Sequence, residues 1–213
     1  KGDKILMNLI AVEASTDLCS VASFKDGILQ NVIDLVDSKE HSKNLPHIIS
    51  QCMNDFDDYS EIDAFAVSIG PGSFTSVRIS ISIIKGLTLG LKNDIVPVPT
   101  LEAMNYPIKD KDTHYIVLNS FKEKCFVQKF KGSLAIDEPF VLNLEDLDKI
   151  NNAYIYSKNT IITNNNFITP SAISLGNYAI ENYKKLVKKY NEKIKPIYLS
   201  ENKFVKIDDN KSK

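Results

Sequence analysis

Two short stretches hold residue types able to do chemistry. The first is Gly70-Pro71-Gly72-Ser73-Phe74-Thr75-Ser76-Val77-Arg78, which follows the apolar run Ala64 to Ile69. Lacking a Cβ, Gly70 and Gly72 permit positive φ and close approach of another group, while Pro71 sets one φ between them. Ser73 or Thr75 can cap a following helix by accepting from its first N–H groups. Free amides and the positive end of a helix dipole suit an anion such as a phosphate. A strand-to-helix junction also needs a tight turn for its own sake, and the same residues serve that reading.

The second stretch is Glu13-Ala14-Ser15-Thr16-Asp17, with carboxylates, two hydroxyls and turn amides at the end of an apolar strand. It could hold a metal-bridged phosphate, although Ser, Thr and Asp are also ordinary turn residues that bond their own backbone. Folds that clasp a nucleotide often use two phosphate-facing loops, so Glu13, Ser15, Thr16, Gly70, Gly72 and Ser73 form the candidate nucleotide or anion site. Other chemistry lacks support. His41 and His47 lie six apart on an expected helix, about 240° around its axis, so their rings diverge and cannot share a metal. The position four after His41 is Leu45, and His114 has no evident companion. There is no Gly-x-Ser-x-Gly elbow and no Gly-Lys-Ser/Thr after the glycine turn, and Thr75 stands where a dinucleotide motif has its third glycine. Arg78, one turn into the expected helix, can reach an anion at the turn, a carboxylate on a partner, or solvent.

The elements that would position these residues follow from periodicity. Leu6 to Val12, Cys19 to Phe24 and Ile28 to Val36 read as an antiparallel meander, with Asp26-Gly27 as the second turn. Leu45, Ile48, Ile49, Cys52, Met53 and Phe56 recur on one helical face, giving a helix over about Lys39 to Phe56 that Pro46 should kink or interrupt. Ala64 to Ile69 is a strand buried on both faces. Ile79 to Ile83 alternates like a strand, yet the capping residues before it and Gly90 after it make Ser73 to Gly90 a helix. On that helix Ser82, Gly86 and Gly90 fall four apart, and Ser76 and Ser80 make a similar pair. Ile95 to Val98 adds a short strand, after which the organisation changes. Thr100 caps a helix to about Tyr106. Tyr115 to Asn119, Lys124 to Lys131 and Phe140 to Leu142 are strands of a second sheet, and Ser171 to Tyr190 is a long helix. Asn151 to Thr169 reads as irregular or edge structure, and Glu201 to Lys213 as loose. Residues 1–99 are assigned to an N-terminal lobe and 100–213 to a smaller C-terminal one.

Composition narrows the function further. The 213 residues are 43% hydrophobic, enough for one large or two small cores. Lys plus Arg total 26 against 27 Asp plus Glu, so no global positive field holds nucleic acid unaided. Cys19, Cys52 and Cys125 lie far apart without metal-ligand spacing, which points to free thiols and a cytoplasmic chain. No apolar run approaches the roughly 20 residues that span a bilayer, and Lys1 to Asn8 lacks the apolar core of a secretory signal. The first residue is Lys rather than Met, which reads as a trimmed or tagged start.

At these residues the chain resembles the TsaB (YeaZ) family, whose members are inactive paralogues of TsaD in the bacterial synthesis of N6-threonylcarbamoyladenosine in tRNA. The matching segments are Leu9 to Ala22, His41-Ser42-Lys43-Asn44-Leu45-Pro46, Gly70 to Gly90, Val96-Pro97-Val98 through Glu102-Ala103, and Pro196-Ile197-Tyr198-Leu199. The resemblance implies an α/β, actin-like and ribonuclease-H-like fold of two lobes, each a mixed sheet flanked by helices. It implies a non-catalytic scaffold or activating subunit that pairs with a TsaD-like transferase, joined by a TsaE-like ATPase, with tRNA met only through the complex. In isolation it implies a homodimer. The partner-facing residues would be His41, Leu45, Thr75, Arg78, Ser82, Gly86 and Gly90 on two helices. No cofactor of its own follows; ATP or ADP with Mg²⁺ would belong to the partner or the lobe cleft. The alternative is an autonomous ATP-binding transferase or kinase of the actin-like class, using the two loops. Several residues depart from the family pattern: Glu13 replaces Asp, Ser76 replaces Gly, Asn119-Ser120-Phe121 replaces an Asp-Ala-Arg type of segment, and Ser200 replaces Arg.

Overall fold

The computed structural model describes residues 6–36, 40–91, 93–119, 123–157, 166–190 and 194–199. Lys39, Ser120, Phe121, Ser200 and the segment 201–213 lie outside the described residues. The chain divides into two compact units, residues 1–107 with 169–198, and 108–168 with 199–213. Among the described residues no helix is long and apolar enough to cross a membrane.

The first unit is built on five strands in the order β3-β2-β1-β4-β5. Strands β1 (Leu9–Glu13), β2 (Leu18–Lys25) and β3 (Ile28–Val36) form the expected antiparallel meander. Strands β4 (Ala64–Ser68) and β5 (Asp94–Val98) run parallel to β1, with Val12 opposite Val67 and Ser68 opposite Val98. Alternation divides β1 between two cores. Ile10 and Val12 face Leu45, Ile48, Ile49 and Cys52 of α1 (His41–Met53) and Val77, Ile81 and Ile84 of α2 (Phe74–Leu87). Leu9 and Ala11 face Ala172, Leu175 and Ala179 of α4 (Ala172–Tyr190). Helices on both faces leave β1 and β4 wholly buried, which is why they read as continuous apolar runs.

Helix α1 runs through Pro46, whose missing N–H falls in the second turn. The segment 79–83, which could have been a strand, is helical, with Ser73 as N-cap accepting from the Ser76 N–H. Ser76 and Ser80 lie on its buried side, not on the outer stripe with Ser82 and Gly86. Thr100 is the first residue of the short α3 (Thr100–Asn105), for which Pro99 takes the cap position.

Helix α4 is assigned differently from the sequence reading, which gave residues 100–213 to the second lobe. It covers the first sheet, where Gly176 lies against the Phe24 ring with no room for a Cβ. Tyr178 hydrogen-bonds to Glu102 of α3, and Tyr183 to Asp94 of β5.

In the second unit β6 (Thr113–Asn119) pairs antiparallel with β7 (Lys124–Lys131), which also pairs with β8 (Leu134–Ala135) and β9 (Phe140–Asn143). On its other side β6 pairs in parallel with β10 (Ala153–Tyr156), followed by β11 (Asn166–Phe167). The expectation of irregular or edge structure over 151–169 is therefore corrected for β10, an interior strand. Its four residues alternate buried and half-buried, too few to raise a pattern above the flanking asparagines.

Candidate functional site

The two loops singled out by their chemistry meet at one end of the first sheet. β1 delivers Glu13, and β4 delivers Ser68 and the glycine turn beside it. The Ser15 N–H donates to Glu13 Oε1 at 2.6 Å, and the Ala14 N–H to Ser68 Oγ at 3.3 Å. The Ser73 N–H donates to the Ser15 carbonyl at 2.6 Å, tying the loops together. A Cβ at Gly72 would stand 2.3 Å from that carbonyl oxygen. Gly70 sits at φ +91° and its carbonyl accepts from the Thr100 N–H at 2.9 Å. The turn thus needs glycine at 70 for its backbone conformation and at 72 for a close approach.

Several donors of the two loops are satisfied within the chain. The amides of Ala14, Ser15 and Ser73 already have acceptors. Burial pushes the Glu13 carboxyl above its usual range, although the Ser15 and Ser68 hydrogen bonds oppose the shift. Thr16 is also buried, and its Oγ1 accepts from the Leu18 N–H at 3.2 Å. Ser15 Oγ is buried in the same loop.

The residues expected to meet a partner separate into two sets. His41 and Leu45 are buried, Leu45 within the core and His41 with Nε2 3.4 Å from the Asp17 carbonyl. Thr75, Arg78, Ser82 and Gly86 are exposed along the outer side of α2, with Gly90 beyond its end. A Cβ at Gly86 would meet nothing within 4 Å. Leu87, Leu89 and Leu91 are exposed by 39%, 85% and 54%, so the helix end adds apolar surface.

Two residues at this site have no local sequence signal. Phe74 and Tyr198 flank Arg78: its guanidinium carbon is 3.7 Å from the Phe74 ring centroid, and its Nε–H donates to the Tyr198 hydroxyl at 2.6 Å. The two rings are 5.0 Å apart. Tyr198 is separated from Arg78 by 120 positions, and only tertiary structure brings them together.

Among the described residues no group of three or more His, Cys, Asp or Glu could hold a metal ion. His114 lies in the second unit, stacked on Phe130 and edge-on to Tyr154. All three cysteines are buried and outside any disulfide, and desolvation pushes the Cys52 thiol up to about 12 and Cys125 to about 11.

Comparison with known proteins adds a family context. The sequence profile described as "TsaD: tRNA N6-adenosine threonylcarbamoyltransferase" matches residues 28–120. The chain is 35% identical over 98 residues to the tRNA threonylcarbamoyladenosine biosynthesis protein TsaB of Escherichia coli K12, covering 46% of this chain and 42% of that protein. It is 31% identical over 140 residues to TsaB of Buchnera aphidicola subsp. Acyrthosiphon pisum, covering 61% and 62%. The matches thus span about half the length of these curated relatives. The solved structure of YeaZ from Pseudomonas aeruginosa superposes with a TM-score of 0.71 at 19% identity, covering 91% of this chain and 100% of that one. That superposition shows a shared fold.

Proposed function

We propose that the chain is a member of the TsaB/YeaZ family, to whose sequences it is similar at 31–35% identity, and that it is a non-catalytic subunit that binds and activates a TsaD-like transferase in the synthesis of N6-threonylcarbamoyladenosine in tRNA. A TsaE-like ATPase joins the pair, and tRNA is met through the complex. The observation that supports this reading is the contrast between a closed pair of loops and an open helix face. The Ser15 carbonyl occupies the space against Gly72, whereas Thr75, Arg78, Ser82 and Gly86 stand exposed on one side of α2 beside Leu87. Small residues there let a second helix approach closely, and the exposed leucines supply area to bury.

The test is Gly86→Phe. Nothing surrounds that position within 4 Å, so the variant should keep its circular dichroism spectrum while losing co-elution with the transferase of its own organism on a sizing column. Co-elution at wild-type stoichiometry would overturn the proposal.

A further inference from the structure

We infer that Arg78 is a pre-set anchor that takes one carboxylate from the docked partner, with Phe74 and Tyr198 as its positioning residues. This rests on the docking face proposed above. Thr75, Arg78 and Ser82 follow one another at three and four residues, hence on one stripe of α2, and a partner covering that stripe also covers Arg78. A guanidinium removed from water must be met by acceptors, and among the described residues no carboxylate lies within ion-pair distance of it. On this inference the docked partner supplies that counter-charge.

The geometry of Arg78 is that of a group prepared for this. Its flat face lies on Phe74, 3.7 Å from the ring centroid, and Nε is bound to the Tyr198 hydroxyl at 2.6 Å. Phe74 and Tyr198 are themselves 54% and 50% exposed, so the assembly stands at the surface. Holding Nε and the ring face leaves the two terminal nitrogens as the outward fork, the arrangement that matches a carboxylate in bidentate fashion. Orientation is fixed before contact, so less side-chain freedom is lost on binding.

Tyr198 is in turn held by the glycine turn. The Ile197 N–H donates to the Ile69 carbonyl at 2.7 Å, and a Cβ on Gly70 would press on the Ile197 carbonyl at 3.2 Å. Gly70 thus helps seat the segment that pins Arg78, a use of the turn distinct from anion binding. A carboxylate is favoured over an RNA phosphate because, among the described residues of this face, the one other cation is Lys85, two turns along α2. Thr75, Ser82 and Gly86 are uncharged, and Lys85 donates to the Ile194 carbonyl at 3.0 Å. Phosphate backbones are held by several cations acting together.

The experiment measures the dissociation constant for the TsaD-like transferase of the same organism by calorimetry, with thermal melting as a fold check. Arg78→Ala should weaken binding by about thirtyfold, the scale of an interface hot spot. Arg78→Lys keeps the charge but loses the fork and should cost about tenfold. Tyr198→Phe removes only the Nε acceptor and should cost about threefold. Among Asp→Lys and Glu→Lys variants of the transferase, one should restore binding to Arg78→Glu. Wild-type affinity in Arg78→Lys and Tyr198→Phe, with Gly86→Phe still defective, would overturn the anchor and leave the docking face standing. No binding by the wild-type chain would overturn both. Retention of tRNA by the lone chain, lost in Arg78→Ala, would assign the fork to phosphate and overturn the carboxylate.

Discussion

Gly72 and Gly86 belong to one continuous segment and have opposite surroundings. At Gly72 an added Cβ meets the Ser15 backbone at 2.3 Å; at Gly86 it meets nothing within 4 Å. The first glycine is required by the protein's own packing, whereas the second leaves room that no described residue fills. The same residue type therefore marks a closed contact at one end of the segment and an open face toward the other. The sequence offered Gly72 to a candidate anion turn and Gly86 to a partner-facing stripe, and their surroundings differ accordingly.

That contrast can be broken by alanine. Gly72→Ala forces backbone against backbone and should destabilise the fold by about 3 kcal/mol in urea denaturation. Gly86→Ala should do the reverse, raising stability by about 0.5–1 kcal/mol through better helix propensity. Equal effects at the two positions would erase the distinction.

A smaller effect sharpens the closed side. Burial raises the Glu13 carboxyl above its usual 4.5. A group with a raised folded-state value contributes stability that is complete below the unfolded value and is lost as pH rises through the folded one. The melting temperature of the wild type should therefore fall as pH is raised from about 4.5 toward neutrality. Glu13→Gln, which keeps an acceptor for the Ser15 N–H, should flatten that slope; a steeper slope would contradict a carboxyl raised by burial.

The smallest effect is on α4, away from both glycines. Desolvation first, then the hydrogen bond to Asp94, push the Tyr183 phenol up to about 12 from 10.0. Its contribution is complete below pH 10.0 and lost as pH rises through about 12. Tyr183→Phe should remove that alkaline loss without altering the acid-side profile, as followed by ellipticity across an alkaline titration.

Much of this was legible in the residues. The meander, β4, the glycine turn and a helix after it follow from alternation, turn chemistry and the Ser73 cap, each a property of neighbours in the chain. Strand β10 was not legible, because four residues between asparagines carry too little periodicity. Nor was the placement of α4, whose apolar stripe says that it is buried but not on which sheet. The inward direction of Ser76 and Ser80 was equally hidden, since small polar residues suit either side of a helix.

The sequence by itself determined the local elements, the tight turn and the family pattern, because these depend on contacts a few residues apart. Only the tertiary structure decided that Ser15 closes against Gly72 and that Tyr198 reaches Arg78 across 120 positions. Both depend on how strands β1 and β4 and the segment 194–198 are brought side by side, and no local preference encodes a distance between chain segments that meet only in the folded state.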